Sequence, residues 1–102
     1  MLLFGNGDKL VNEVRASHIL VNTKQEANNL MNQLRSGASF EQLAQKHSQC
    51  PSGKNGGDLG FFGKGKMVPA FETAAFNMEI GQVSQPIQTQ FGYHLIKVTG
   101  KR

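Results

Sequence analysis

The stretch from Gly56 to Met67, GGDLGFFGKGKM, constrains the fold more than any other part of the chain, because its glycines alternate with Leu59, Phe61, Phe62 and Met67. Glycine loses the most backbone freedom on folding, so a run of it is useful where the chain needs unusual dihedrals or close approach. The large apolar side chains cost roughly 1.5 to 3 kcal/mol each when left in water. Together these facts exclude a floppy linker and predict a packed, shaped loop that carries apolar residues into a pocket. Gly60 to Lys66 also satisfies G-x-x-x-x-G-K, but Met67 stands where a nucleotide-binding loop needs Ser or Thr. Nothing resembling a buried parallel strand precedes it, and the phosphate reading fails.

With 102 residues, 38% of them apolar, the chain suits one small domain with a single core. The formal charge of +4 comes from Lys and Arg scattered between Lys9 and Arg102. Without a basic stripe, no nucleic-acid partner is expected. Met1-Leu2-Leu3-Phe4 is too short for the core of a signal peptide, and no apolar run approaches membrane length, so no membrane partner is expected either. Cys50, the single cysteine, allows no internal disulfide. That suits a cytoplasmic protein if the chain is free-standing, and an excised domain of an exported protein would look the same. Residues 1–12 are expected to form a flexible N-terminal extension, and 13–102 the domain, acting as a monomer.

Glu13 to Val21 alternates as a strand, with Val14, Ala16, His18 and Leu20 on one face and Arg15, Ser17, Ile19 and Val21 on the other. Thr23-Lys24-Gln25-Glu26 and Ser39-Phe40-Glu41-Gln42 both match capping boxes. The first opens a helix with Ala27, Leu30, Met31 and Leu34 on its inner face and Gly37 beyond its end; the second opens a shorter one ending near His47. A one-turn helix near Pro51 to Lys54 and a strand near Leu59 to Phe62 follow. Pro69 then starts a third helix that turns Phe71, Ala74, Ala75 and Phe76 inward before Gly81. Val83 to Gln88 and Tyr93 to Val98 are expected as a hairpin joined at Gln90-Phe91-Gly92. This order predicts an α+β domain with a small antiparallel sheet.

His18 shares its strand face with Val14, Ala16 and Leu20, and His94 shares its own with Ile96 and Val98. A buried imidazole without partners costs roughly 1 to 3 kcal/mol, but each neutral ring carries one donor and one acceptor. If the first and last strands are neighbours, the two rings can bond each other, with Thr89 at the hairpin bend as a third member. Such a chain either locks the core or underlies a site. Cys50 has its own alternatives: a thiol nucleophile with a histidine base, or a zinc ligand with His47, His18 and His94. Zinc is disfavoured because no C-x-x-C or close histidine pair fixes two ligands locally.

RASHILV, GASFEQLAQKHSQCPSGKNGGDLGFFGKGKMVPAF and GQVSQPIQTQFGYHLIKV occur in that order after Glu13. Joined so, they resemble the parvulin family of peptidyl-prolyl cis-trans isomerases. The resemblance implies a four-stranded antiparallel sheet surrounded by about four helices, an FKBP-like architecture, with no metal or organic cofactor. It implies a site in which Leu59, Phe62, Met67, Phe71 and Phe91 bind substrate and His18, Cys50, Thr89 and His94 form its polar part. Similar proteins carry Cys or Asp at the position of Cys50. The implied partners are proline-containing polypeptides, and the implied role is assistance to folding, in an enzyme of the cytoplasm or a domain of an exported foldase. A peptide-binding chaperone module on the same fold is the alternative.

One branch of that family reads phosphoserine or phosphothreonine before proline with a basic cluster after its first strand. Here that connection is Val21-Asn22-Thr23-Lys24, which offers one lysine. Phe91 stands where that branch has a small polar residue. An apolar residue before proline, without phosphate, is the expected substrate.

Overall fold

Side-chain caps set the starts of the first two helices. In the computed structural model, which describes residues 11–102, β1 (Glu13–Val21) leads into α1 (Lys24–Arg35) and α2 (Phe40–His47). Thr23 Oγ1 accepts the Glu26 N–H at 3.1 Å, and Ser39 Oγ accepts the Gln42 N–H at 3.2 Å. Each satisfies an amide that the first helical turn leaves without a partner. A 3-10 helix (Pro51–Asn55), β2 (Asp58–Gly63), α3 (Pro69–Phe76), β3 (Ile87–Thr89) and β4 (Gly92–Lys101) complete the chain. The strands form one antiparallel sheet in the order β2-β1-β4-β3. This is the expected α+β class, with the 3-10 turn as the fourth helical element.

Most of the extension expected at 1–12 lies outside the described residues. At its described end, the amides of Asn12 and Glu13 both donate to the Arg102 carbonyl at 2.8 Å, so the last residue closes on the start of β1.

The terminal hairpin differs from the expectation. Only Ile87–Thr89 pairs as a strand, while Val83 makes one isolated bridge to Lys97. Pro86 has no N–H to offer a ladder, and Ser84 replaces backbone pairing with its side chain. The Ser84 N–H donates to the Ile96 carbonyl at 2.8 Å, and the Ile96 N–H donates to Ser84 Oγ at 3.0 Å. β4 is correspondingly longer than expected and pairs along most of β1. Gly92 pairs with Thr89, which leaves Gln90 and Phe91 as the turn. At φ +138° a Cβ on Gly92 would lie 2.5 Å from the Val21 carbonyl oxygen, so the turn requires glycine.

Alternation along β1 and β4 divides the interior between the two faces of the sheet. Ile19, Val21 and Leu95 pack with Ala27, Leu30, Phe40 and Leu43 of α1 and α2. Val14, Ala16, Ile96 and Val98 pack on the other side with Phe62 and with Phe71 and Ala75 of α3. Ala74 and Phe76, both expected inside, are only partly covered.

Candidate active site

The β1–β4 register places Ile96 opposite His18 and His94 opposite Leu20, so the two histidines are diagonal neighbours on the α3 side of the sheet. Their Nδ1 atoms are 3.0 Å apart, and the rings stack at 5.1 Å between centroids. His94 Nε2 meets Thr89 Oγ1 at 2.7 Å, and Thr89 Oγ1 also accepts the Phe91 N–H at 3.1 Å. The three side chains form one hydrogen-bonded chain from the hairpin turn into β1. A shared Nδ1–Nδ1 contact needs one donor and one acceptor, which two neutral imidazoles supply. Burial, and secondarily the neighbouring His94, pushes the His18 pKa down to about 4. Burial also lowers that of His94. His18 Nε2 is buried and has no hydrogen-bond partner among the described residues.

Phe71 stands edge-on to both rings, 5.5 Å from His18 and 5.4 Å from His94. Above this group opens a cavity of about 480 Å³. His18, Cys50, Leu59, Met67, Phe71, Phe91 and His94 all line it, so seven expected site residues converge from five parts of the chain. Thr89 supports His94 from behind. Phe62 does not reach the wall: it is buried and packs its ring on Phe71 at 6.0 Å and on Phe76 at 6.1 Å. A register shift opposite Arg15–Ser17, with Gly60 at φ +72°, lets Leu59 and Phe62 both face the α3 side, where Leu59 reaches the cavity and Phe62 supports Phe71 from the core.

The cavity walls are fixed to the sheet. The Leu20 N–H donates to Ser48 Oγ at 3.0 Å and the Gln49 N–H to the Leu20 carbonyl at 2.8 Å, anchoring the segment that presents Cys50. The His18 N–H donates to the Gly57 carbonyl at 2.9 Å. Gly57 has φ +86°, and a Cβ there would collide with the His18 carbonyl oxygen, so this approach also requires glycine. In the loop before α3, the Gly65 N–H donates to Glu72 Oε1 at 2.6 Å.

Sequence reasoning missed Leu20, Gln49, Pro51 and Val68 on the cavity wall. Leu20 was within reach of it, since strand alternation sets it beside His18. The lysines of the glycine-rich run read as rim charges, and the structure sets Lys66, but not Lys64, on this cavity. Among the described residues, Cys50 belongs to no group of three or more side chains placed to hold a metal. Its Sγ accepts a hydrogen bond from the Ser52 hydroxyl at 3.2 Å, and the two Nδ1 atoms of the histidines face each other. His47 lies at the exposed end of α2 on a different surface, away from His18, His94 and Cys50.

A family model described as Rotamase: PPIC-type PPIASE domain matches residues 11–100. The chain belongs to this family of peptidyl-prolyl isomerases. Similar to this PPIC-type domain is the Foldase protein PrsA of Halalkalibacterium halodurans, 52% identical over 98 residues that make up 95% of this chain and 29% of that protein. Foldase protein PrsA 2 of Bacillus anthracis is 53% identical over 91 residues, 88% of this chain and 32% of that protein. Among solved structures, the crystal structure of the peptidylprolyl isomerase PrsA from Bacillus anthracis superposes with a TM-score of 0.88 at 50% identity, covering 94% of this chain and 45% of that one. The solution structure of NmPin, the parvulin of Nitrosopumilus maritimus, gives 0.79 at 48% identity, covering 87% and 97%. The chain thus spans about a third of the length of the curated relatives it matches. The PPIC-type domain shares its four-stranded antiparallel sheet with these parvulin structures.

Proposed function

We propose that the PPIC-type domain accelerates rotation about X-Pro bonds in unfolded or flexible polypeptides, without need of phosphate, and so assists folding. The observation that carries this reading is the convergence of Leu59, Met67, Phe71, Phe91 and Cys50 on one cavity above the histidine pair. Uncatalysed rotation crosses a barrier of roughly 18 to 20 kcal/mol and breaks no bond. A planar amide is strongly dipolar, and twisting it removes the resonance that separates its charge. A largely apolar, water-excluding cavity therefore disfavours the planar amide relative to the twisted one. Leu59, Met67 and Phe71 hold the proline ring, while Phe91 and Cys50 border the preceding residue and its carbonyl. His18, His94 and Thr89 form the floor and fix the shape. Each 1.4 kcal/mol of preference for the twisted state is about tenfold in rate, so no covalent step is needed.

Only Asn22 and Thr23 separate β1 from α1, and Thr23 is used as the helix cap, which leaves no room for a cluster of phosphate-binding cations. The share of the relatives' length supports a role as the isomerase domain of a longer foldase over that of a free-standing cytoplasmic enzyme.

A protease-free isomerase assay on unphosphorylated X-Pro peptides tests the proposal. Catalysis is expected for apolar X, with less than tenfold gain when a phosphorylated residue precedes proline. Binding without acceleration would instead support a peptide-binding chaperone module.

A further inference from the structure

The cavity is largely apolar, and among the described residues Lys66 is the one lysine or arginine on its wall. The loop that carries it, between β2 and α3, divides its two lysines. Lys64 lies with its Nζ 5.7 Å from the centre of the Phe76 ring, outside the cavity. Lys66 turns to the cavity rim, exposed to solvent. Nearby carboxylates are otherwise engaged: Asp58 is held by Arg15 at 2.6 Å, and Glu72 accepts the Gly65 N–H. Among the described residues, no carboxylate forms an ion pair with Lys66. A long side chain of this kind can lay its stem on an apolar wall and keep its ammonium in water.

We propose that Lys66 is a specificity residue that selects a carboxylate at the position directly after proline. The inference rests on the isomerase reading of the same cavity. With the proline ring against Met67, and the preceding residue between Cys50 and Phe91, the chain leaving the ring passes the rim beside Met67. Lys66 immediately precedes Met67 there. The side chain of the following residue then projects toward the Lys66 ammonium beside an apolar wall, where Glu or Asp gains a charge-assisted contact and Lys or Arg is repelled.

The test is an isomerase assay on peptides X-Pro-Z with apolar X and Z as Glu, Gln or Lys, using the wild-type chain, K66Q, K66E and K46Q. For wild type at low ionic strength, kcat/KM for Glu should exceed that for Gln by about 2- to 5-fold, the range open to an exposed ion pair. The difference should sit in KM rather than kcat, because the charge binds ground and transition states alike. It should vanish near 1 M salt, where screening falls to about 3 Å. K66Q should bring the Glu-to-Gln ratio to one, and K66E should favour Lys over Glu. Lys46 lies at the end of α2, away from the cavity, and K46Q should keep the wild-type ratio. Equal turnover of Glu and Gln peptides by wild type, or an unchanged ratio in K66Q, overturns the assignment while leaving the isomerase reading intact. Absence of turnover for every peptide overturns the isomerase reading itself.

Discussion

Under α1 and α2, the sheet carries Ile19, Val21 and Leu95 into an interior of apolar side chains closed by two capped helices. On the α3 side, the same two central strands carry Val14, Ala16, Ile96 and Val98, but also His18 and His94, and that side opens into the cavity. The first side gains stability from area removed from water. The second includes polar groups whose burial is tolerable only because they are paired, and one ring nitrogen, His18 Nε2, lacks even that. Alternation links the two: a one-residue slip in β1 would turn His18 toward the helices and Ile19 toward the cavity. The packed side thus fixes the register on which the open side depends.

Truncating one residue on each side tests this division most strongly. Leu43→Ala should lower stability by about 2 to 5 kcal/mol in urea unfolding, with kcat/KM per folded molecule within about twofold of wild type. Met67→Ala, on the half-buried cavity wall, should reverse the pattern, losing about tenfold or more in kcat/KM while its unfolding free energy drops by about 1.5 kcal/mol or less. Equal losses of both properties in both variants would dissolve the distinction.

Between pH 7.5 and 5, above the range where the carboxylates Glu41 and Asp58 take up protons, acid should act mainly through the open side. Unfolded histidine titrates near 6.5 and His18 in the fold near 4, so between those values the unfolded chain binds more protons and stability falls as pH falls. The contribution of His18 is complete above pH 6.5, and about 2 kcal/mol of it should be gone by pH 5. Urea midpoints measured from pH 7.5 down to 5 should show this slope, and His18→Gln should make it shallower, leaving the part due to His94. A wild-type profile already flat would mean that the imidazole is not held neutral. Thr89→Val removes the hydroxyl at His94 Nε2 and should cost roughly 1 to 3 kcal/mol, with Thr89→Ser recovering most of it. The smallest effect is expected for Cys50→Asp, which should retain kcat/KM within about tenfold. A folded but inactive Cys50→Asp protein would point to a nucleophilic thiol.

The features legible in the sequence were those in which local and tertiary demands agree. Thr23 and Ser39 announced two helices that begin where the caps place them. The alternation from Glu13 to Val21 gave β1 its bounds and set His18 on the face that His94 shares. Thr89 could be nominated because a hydroxyl at the hairpin bend can reach a ring on the returning strand. The residues from Val83 to Pro86 read as part of a strand, but Pro86 offers no N–H to a ladder and Ser84 takes a ladder bond with its side chain. Phe62 sits in the core beneath Phe71, a placement that a run of two phenylalanines beside a register shift does not reveal. Lys66 needed three dimensions, since only the fates of Lys64, Asp58 and Glu72 distinguish it from any surface lysine.

Ser48, Gly57 and Glu72 each hold one wall of the cavity by a backbone hydrogen bond, two of them to β1 itself. A cleft mounted in this way is a mould whose shape exists before anything enters it. The loss of freedom on association then falls on the visiting polypeptide and hardly on its host. Segments in rigid folded proteins cannot adapt to such a mould, whereas loose chains can thread it and leave again. A stiff cleft thereby becomes a filter for disorder in its visitors.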